Sequence, residues 1–126
     1  NISEYDITSG VIEEAGDVSE NIGRGALTEA VFYILLSLMT PMHGYGIMQN
    51  VSQLSKGRLA LGAGTLYGAI NTLLEKGWIR SVPGEADSRK KEYIISDLGK
   101  NALENELVRL QELLQNGAAI MGGRIS

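Results

Sequence analysis

The chain has 126 residues, 44% of them hydrophobic, no cysteine, and a formal charge of -4 from 11 Lys and Arg against 15 Asp and Glu. That length holds one small core with an attached element, and the apolar content is too high for a disordered chain. The lack of cysteine excludes a disulfide scaffold and a thiolate zinc site and suits the cytoplasm, while no apolar run approaches the ~20 residues of a membrane span.

No basic stretch followed by an apolar one opens the sequence, so no signal peptide is expected. Charge is spread unevenly: residues 1–26 carry -5, 27–55 carry -1, 56–92 carry +3 and 93–126 carry -1. A basic middle third fits an ordinary solvated face, and it equally fits the footprint of a polyanion binder.

Residues 1–26 form an acidic arm with scattered apolar positions (Ile2, Tyr5, Ile7, Val11, Ile12), expected as a short helix or a strap over a partner. Gly23 and Gly25 around Arg24 read as a hinge. A first helix is predicted over residues 28–40. It is apolar nearly all round (Val31, Phe32, Ile34, Leu35, Leu38, Met39), which marks a central helix, and Pro41 stops it. A second helix is predicted over residues 43–54, with Tyr45, Ile47, Met48, Val51 and Leu54 as its apolar positions and Gly57 suited to the left-handed cap.

The third helix, predicted over residues 63–76, is the most informative. At ~100° per residue, Leu66, Ile70, Leu73 and Leu74 share one arc with Tyr67 at its edge. The opposite arc carries Thr65, Gly68, Ala69, Thr72 and Lys76, which are short or else long and positive. Gly77 caps the end. Residues 78–82 then read as a strand, Pro83-Gly84 as a turn and residues 91–95 as the returning strand, with the polar tip 85–89 projecting as a loop.

Ser96 can cap a last helix over residues 97–116. Its Leu103, Leu107, Leu110 and Leu114 are spaced four, three and four, a seam of coiled-coil type expected to pair two copies of the chain. Gly117 and Gly122-Gly123 close the sequence.

Three helices followed by a hairpin is the winged helix-turn-helix order: a mainly α fold with a small β wing and a C-terminal dimerisation helix. A reader helix needs one face that packs and another shallow enough for the major groove. The third helix meets both needs, so Thr65, Tyr67, Ala69, Thr72 and Lys76 are the candidate contacts to double-stranded DNA. Arg89, Lys90 and Lys91 on the hairpin are the candidate phosphate contacts.

The segments Leu27-Thr28-Glu29, His43-Gly44-Tyr45-Gly46-Ile47, Gly64-Thr65-Leu66-Tyr67, Leu74-Glu75-Lys76-Gly77-Trp78-Ile79, Arg89-Lys90-Lys91-Glu92-Tyr93 and Ser96-Asp97-Leu98-Gly99 resemble, in that order, the PadR family of bacterial transcriptional regulators. The resemblance covers about residues 27–116. It implies a winged-helix homodimer, usually a repressor, paired through the last helix and relieved in some members by small molecules. Family members often have Pro before the Gly-Thr-Leu-Tyr motif, where this chain has Ala63.

The expected division is an acidic arm over 1–26, a winged helix-turn-helix domain over 27–96, and a dimerisation helix with its tail over 97–126. Phe32, Tyr33 and Trp78, with the last helix, form a candidate apolar wall for an aromatic or apolar effector, a reading that leans on the resemblance.

Several residues also have plainer readings. His43 is the only histidine and lacks nearby partner ligands, so a structural role is expected and no metal or cofactor. Tyr67 can touch a phosphate or wedge between helices. Trp78 can serve the core. Gly62-Ala63-Gly64 resembles part of a phosphate loop but lacks its Lys and preceding strand. With one His, no Cys and no carboxylate pair in an apolar setting, nothing supports an enzyme. The rival to DNA binding is a winged-helix module that binds protein.

Overall fold

The computed structural model describes residues 25–83 and 91–122. The expectations placed on residues 1–24, on the wing tip with Arg89 and Lys90, and on residues 123–126 lie outside the described residues. In chain order the elements are α1 (Glu29–Ser37), β1 (Met42–His43), α2 (Gly44–Leu54), α3 (Ala63–Glu75), β2 (Ile79–Val82), β3 (Glu92–Ile95) and α4 (Asp97–Ile120).

Helix α1 starts where Thr28 accepts a hydrogen bond from the Val31 N–H at 3.2 Å, an N-cap of the ordinary kind. It ends at Ser37, short of the expected residue 40. There the Leu38 N–H is shared between the Ile34 and Leu35 carbonyls, and the Leu38 carbonyl accepts from the Ile95 N–H at 2.8 Å. Ser37, the polar break in the apolar run, is buried. Its hydroxyl donates to the Tyr33 carbonyl at 2.8 Å and accepts from the Asn50 amide at 2.9 Å, which ties α1 to α2 without a stranded polar group.

His43 is structural. Its Nδ1 accepts from the Gly46 N–H at 3.3 Å and caps α2. At the other end of α2 Gly57 takes the left-handed conformation expected of it, at φ 82°, and Lys56 before it does so too, at φ 54°. The Gly57 N–H reaches back to the Ser52 carbonyl at 2.8 Å. Helix α3 closes as the sequence predicts. Gly77 takes φ 75°, its N–H donates to the Leu74 carbonyl, and the Trp78 N–H donates to the Leu73 carbonyl, both at 3.0 Å.

The expected two-stranded hairpin is one strand larger. Residues Met42 and His43 pair antiparallel with Tyr93 and Glu92, giving the sheet order β1-β3-β2. On the other side of β3, Ile79 faces Ile95 and Val82 faces Glu92. The core lies between this small sheet and the helices: Val31, Ile34, Leu35 and Leu38 meet Ile47, Val51, Leu66, Ile70, Leu73, Ile79, Tyr93 and Ile95.

Helix α4 begins at Ser96, whose hydroxyl accepts from the Gly99 N–H at 3.1 Å and donates to the Gly77 carbonyl at 2.5 Å. Gly99 sits so close to the start of β2 that a Cβ there would lie 2.1 Å from the Trp78 carbonyl oxygen. The helix runs four residues beyond the expected Asn116. Its leucine row divides. Leu103, assigned above to the dimer seam, is only 5% exposed and belongs to the protomer's own core, because α4 packs against α1. Leu107, Leu110 and Leu114 are exposed, together with Val108, Leu113 and Ile120.

Candidate nucleic-acid interface

Helix α3 buries Leu66, Ile70 and Leu73 on one side. The opposite side is Gly64, Gly68, Asn71 and Glu75, spaced four, three and four, with Thr65 flanking them, and all five are exposed. Thr72 is half-buried, and its hydroxyl donates to the Gly68 carbonyl at 3.2 Å. Nothing lies within 4 Å of where a Cβ would stand on Gly64 or Gly68. The face is therefore shallow, free of large apolar groups and open to an approaching surface. Its N-terminus begins at Gly62 with no side-chain cap and no acid in the first turn, so its amides stay available to an anion.

Of the residues named from sequence, Thr65 lies on this open face. Ala69 does not lie at its centre. It is half-buried and packs against the core, because the outward direction is set by Leu66, Ile70 and Leu73 and points along Gly68 rather than Ala69. Lys76 is the half-buried C-cap residue. Asn71 was missed, although a helical projection centred on the apolar arc turns it outward.

Tyr67 wedges between helices and keeps part of its surface open. Its ring lies over the start of α2, where a Cβ on Gly44 would come 2.1 Å from the hydroxyl oxygen, yet the residue remains 43% exposed. Tyr93 sits near it in the core. Burial raises the Tyr93 hydroxyl above its ordinary pKa, and the charge of Tyr67 adds to the effect. On the wing, Lys91 and Arg80 are exposed.

A second feature lies between the start of α1 and α4. Leu27, Glu29, Phe32, Tyr33, Glu106, Arg109 and Leu110 line a cleft of about 280 Å³. The Phe32 and Tyr33 rings meet edge to face at 5.9 Å. Trp78, expected beside them, is not part of this lining, because it packs partly against the core at the start of β2. Glu106 is 3% exposed, and its carboxylate accepts two hydrogen bonds from Arg109, at 2.9 and 2.6 Å. Those bonds hold the guanidinium above its ordinary pKa. Glu29 at the mouth pairs with Arg58 from the loop before α3. Among the described residues no cluster of His, Asp and Glu could hold a metal ion, and no helix is long and apolar enough to cross a membrane.

Comparison with known proteins agrees with this architecture. The sequence model described as the transcriptional regulator PadR-like family matches residues 32–105. A PadR family transcriptional regulator from Eggerthella lenta superposes with a TM-score of 0.56 at 24% identity, covering 75% of this chain and 82% of that one. A transcriptional regulator from Clostridium thermocellum gives 0.55 at 20% identity, covering 79% and 93%. An uncharacterised transposon protein of Streptomyces fradiae is 38% identical over 66 residues, which span 52% of this chain and 18% of that relative's length.

Proposed function

The chain belongs to the PadR-like family of transcriptional regulators, and on that premise we propose that it binds an inverted-repeat operator as a homodimer, acting in the cytoplasm as a repressor. Residues 27–96 form the reading unit and residues 97–126 the pairing helix and tail. The carrying observation is α3: Leu66, Ile70 and Leu73 fix it to the core while its outer face bears no large side chain. Such a helix can enter a major groove without first being stripped of bulk.

In this reading Thr65 and Thr72 meet base edges. The Tyr67 hydroxyl and Lys76 reach the flanking backbone, and Arg89, Lys90 and Lys91 meet phosphates. Ala69 contributes by keeping the helix close to its core rather than by touching a base. The net charge of -4 does not oppose this, since each phosphate contact releases counterions locally. The exposed leucines of α4 pair the protomers. The cleft beside Phe32 and Tyr33 is the place for an apolar or aromatic effector, close enough to α4 to alter how the two halves sit.

A titration against operator and scrambled duplex at several salt concentrations tests this. Lys90→Ala with Lys91→Ala should weaken both kinds of DNA alike and lower the salt slope by about one unit per lost contact. If the unaltered protein shows no salt-dependent duplex binding, the protein-interaction module is the better reading.

A further inference from the structure

The outward face of α3 offers few groups able to tell one base from another. Gly64 and Gly68 offer none. Thr72 has committed its hydroxyl to the Gly68 carbonyl, which leaves mainly a methyl to present. A threonine hydroxyl such as that of Thr65 donates or accepts and so suits several base edges. Glu75 only accepts and is negative, which disfavours it near phosphates. Tyr67 lies over Gly44.

Asn71 remains. It is exposed midway along the open strip, and its planar amide carries a donor and an acceptor side by side. That pair complements the N6 donor and N7 acceptor that adenine shows in the major groove. We infer that Asn71 is the base-discriminating side chain of α3 and specifies an adenine in each operator half-site, an inference that rests on the DNA-binding reading above.

The surroundings suit this role. An asparagine is short, so its amide reaches a base edge only if the helix backbone comes close to the groove floor. One turn earlier Gly68 has open space where its Cβ would be. Packing does not ask for a glycine there, and a mid-helix glycine is less favourable than alanine. The open strip lets the helix settle deeply enough for Asn71 to reach its base.

The test is selection of bound sequences from a random duplex pool by the full chain and by Asn71→Ala. The unaltered protein should enrich an inverted repeat with an adenine in each half-site. Asn71→Ala should lose the preference at that position alone, with operator affinity down about ten- to a hundredfold and the salt slope unchanged. Replacing that adenine by 7-deazaadenine, which lacks the N7 acceptor, should weaken the unaltered protein and leave Asn71→Ala unaffected. Gly68→Ala should raise the unfolding midpoint while weakening operator binding. If the unaltered protein enriches a motif and Asn71→Ala enriches the same one, Asn71 is not the reader and only this inference falls. If the unaltered protein enriches no motif, the DNA-binding reading falls and takes the inference with it.

Discussion

Leu107→Glu combined with Leu110→Glu should turn the proposed dimer into monomers while leaving each protomer folded. The two leucines are 51% and 40% exposed, so about half of each is already buried in the protomer and the rest is available to a partner. Full burial of a leucine is worth about 2 kcal/mol, so the available parts contribute roughly 1 and 0.8 kcal/mol per copy. A two-fold interface uses them twice, about 3.6 kcal/mol in all, or roughly a several-hundredfold change in the dimer dissociation constant. Four carboxylates brought together without partners raise the loss further. Sedimentation velocity across nanomolar to micromolar protein should show a single monomeric species for the variant. Thermal unfolding followed by circular dichroism should stay cooperative, because neither side chain belongs to the protomer core. A variant that still sediments as a dimer at micromolar concentration would mean that the pairing surface lies elsewhere.

Two further outcomes follow from the packing at the joint between sheet and helix. Gly99→Ala sets a Cβ 2.1 Å from the Trp78 carbonyl oxygen and 2.7 Å from Ile95. Because backbone must move, stability should fall by about 1–3 kcal/mol or more, read from denaturant midpoints; a midpoint at or above that of the unaltered protein would contradict the close approach. Burial, then the neighbouring Tyr67, raises Tyr93 above its ordinary pKa of 10.0, so the unfolded chain gives up this proton first. The resulting stability is present below about pH 10 and drains away as pH climbs toward the folded-state value. Tyr93→Phe should flatten that part of the alkaline unfolding curve, and an unchanged curve would deny the shift.

Much of this fold is legible in the residue order because each element carries its own punctuation. Ser96 and Gly77 cap where a hydroxyl and a glycine are expected to, and Leu66, Ile70 and Leu73 announce the inner face of α3 by spacing alone. Strand β1 was not legible. Two residues carry no periodicity, and Met42 and His43 become strand only because the edge of β3 is there to pair with them. Ala69 lies beside the open strip and not at its centre for a geometric reason: an arc drawn through small residues is not the arc opposite the buried ones, and Asn71 falls outside it. The grouping of Trp78 with Phe32 and Tyr33 leans on the family resemblance, whereas its backbone, fixed between the Schellman turn after α3 and the start of α4, keeps it at the head of β2.

The leucine row of α4 shows how one period can serve two surfaces, and this bears on how pairing and reading are linked. A spacing of four, three and four states that residues share a face, but not what covers it. Leu103 is covered by the protomer's own core, and Leu107 onward is not. The changeover falls within one turn, beside buried Glu106 and its bond to Arg109. The same helix is anchored at its other end to α3: Ser96 donates to the Gly77 carbonyl, the Ser96 N–H donates to the Trp78 carbonyl at 2.9 Å, and Gly99 rests on that same carbonyl. The turn that closes α3 and the first turn of α4 are therefore joined directly by hydrogen bonds. In the proposed dimer, the crossing of two α4 helices then fixes the separation and tilt of two α3 helices, which is the quantity an inverted-repeat operator measures. The proposed effector in the cleft beside Glu106 would not need to reach the proposed DNA-facing surface to matter. On that proposal, a small change in how α4 lies on α1 would be carried through this joint to the turn after α3, which would couple the two sites.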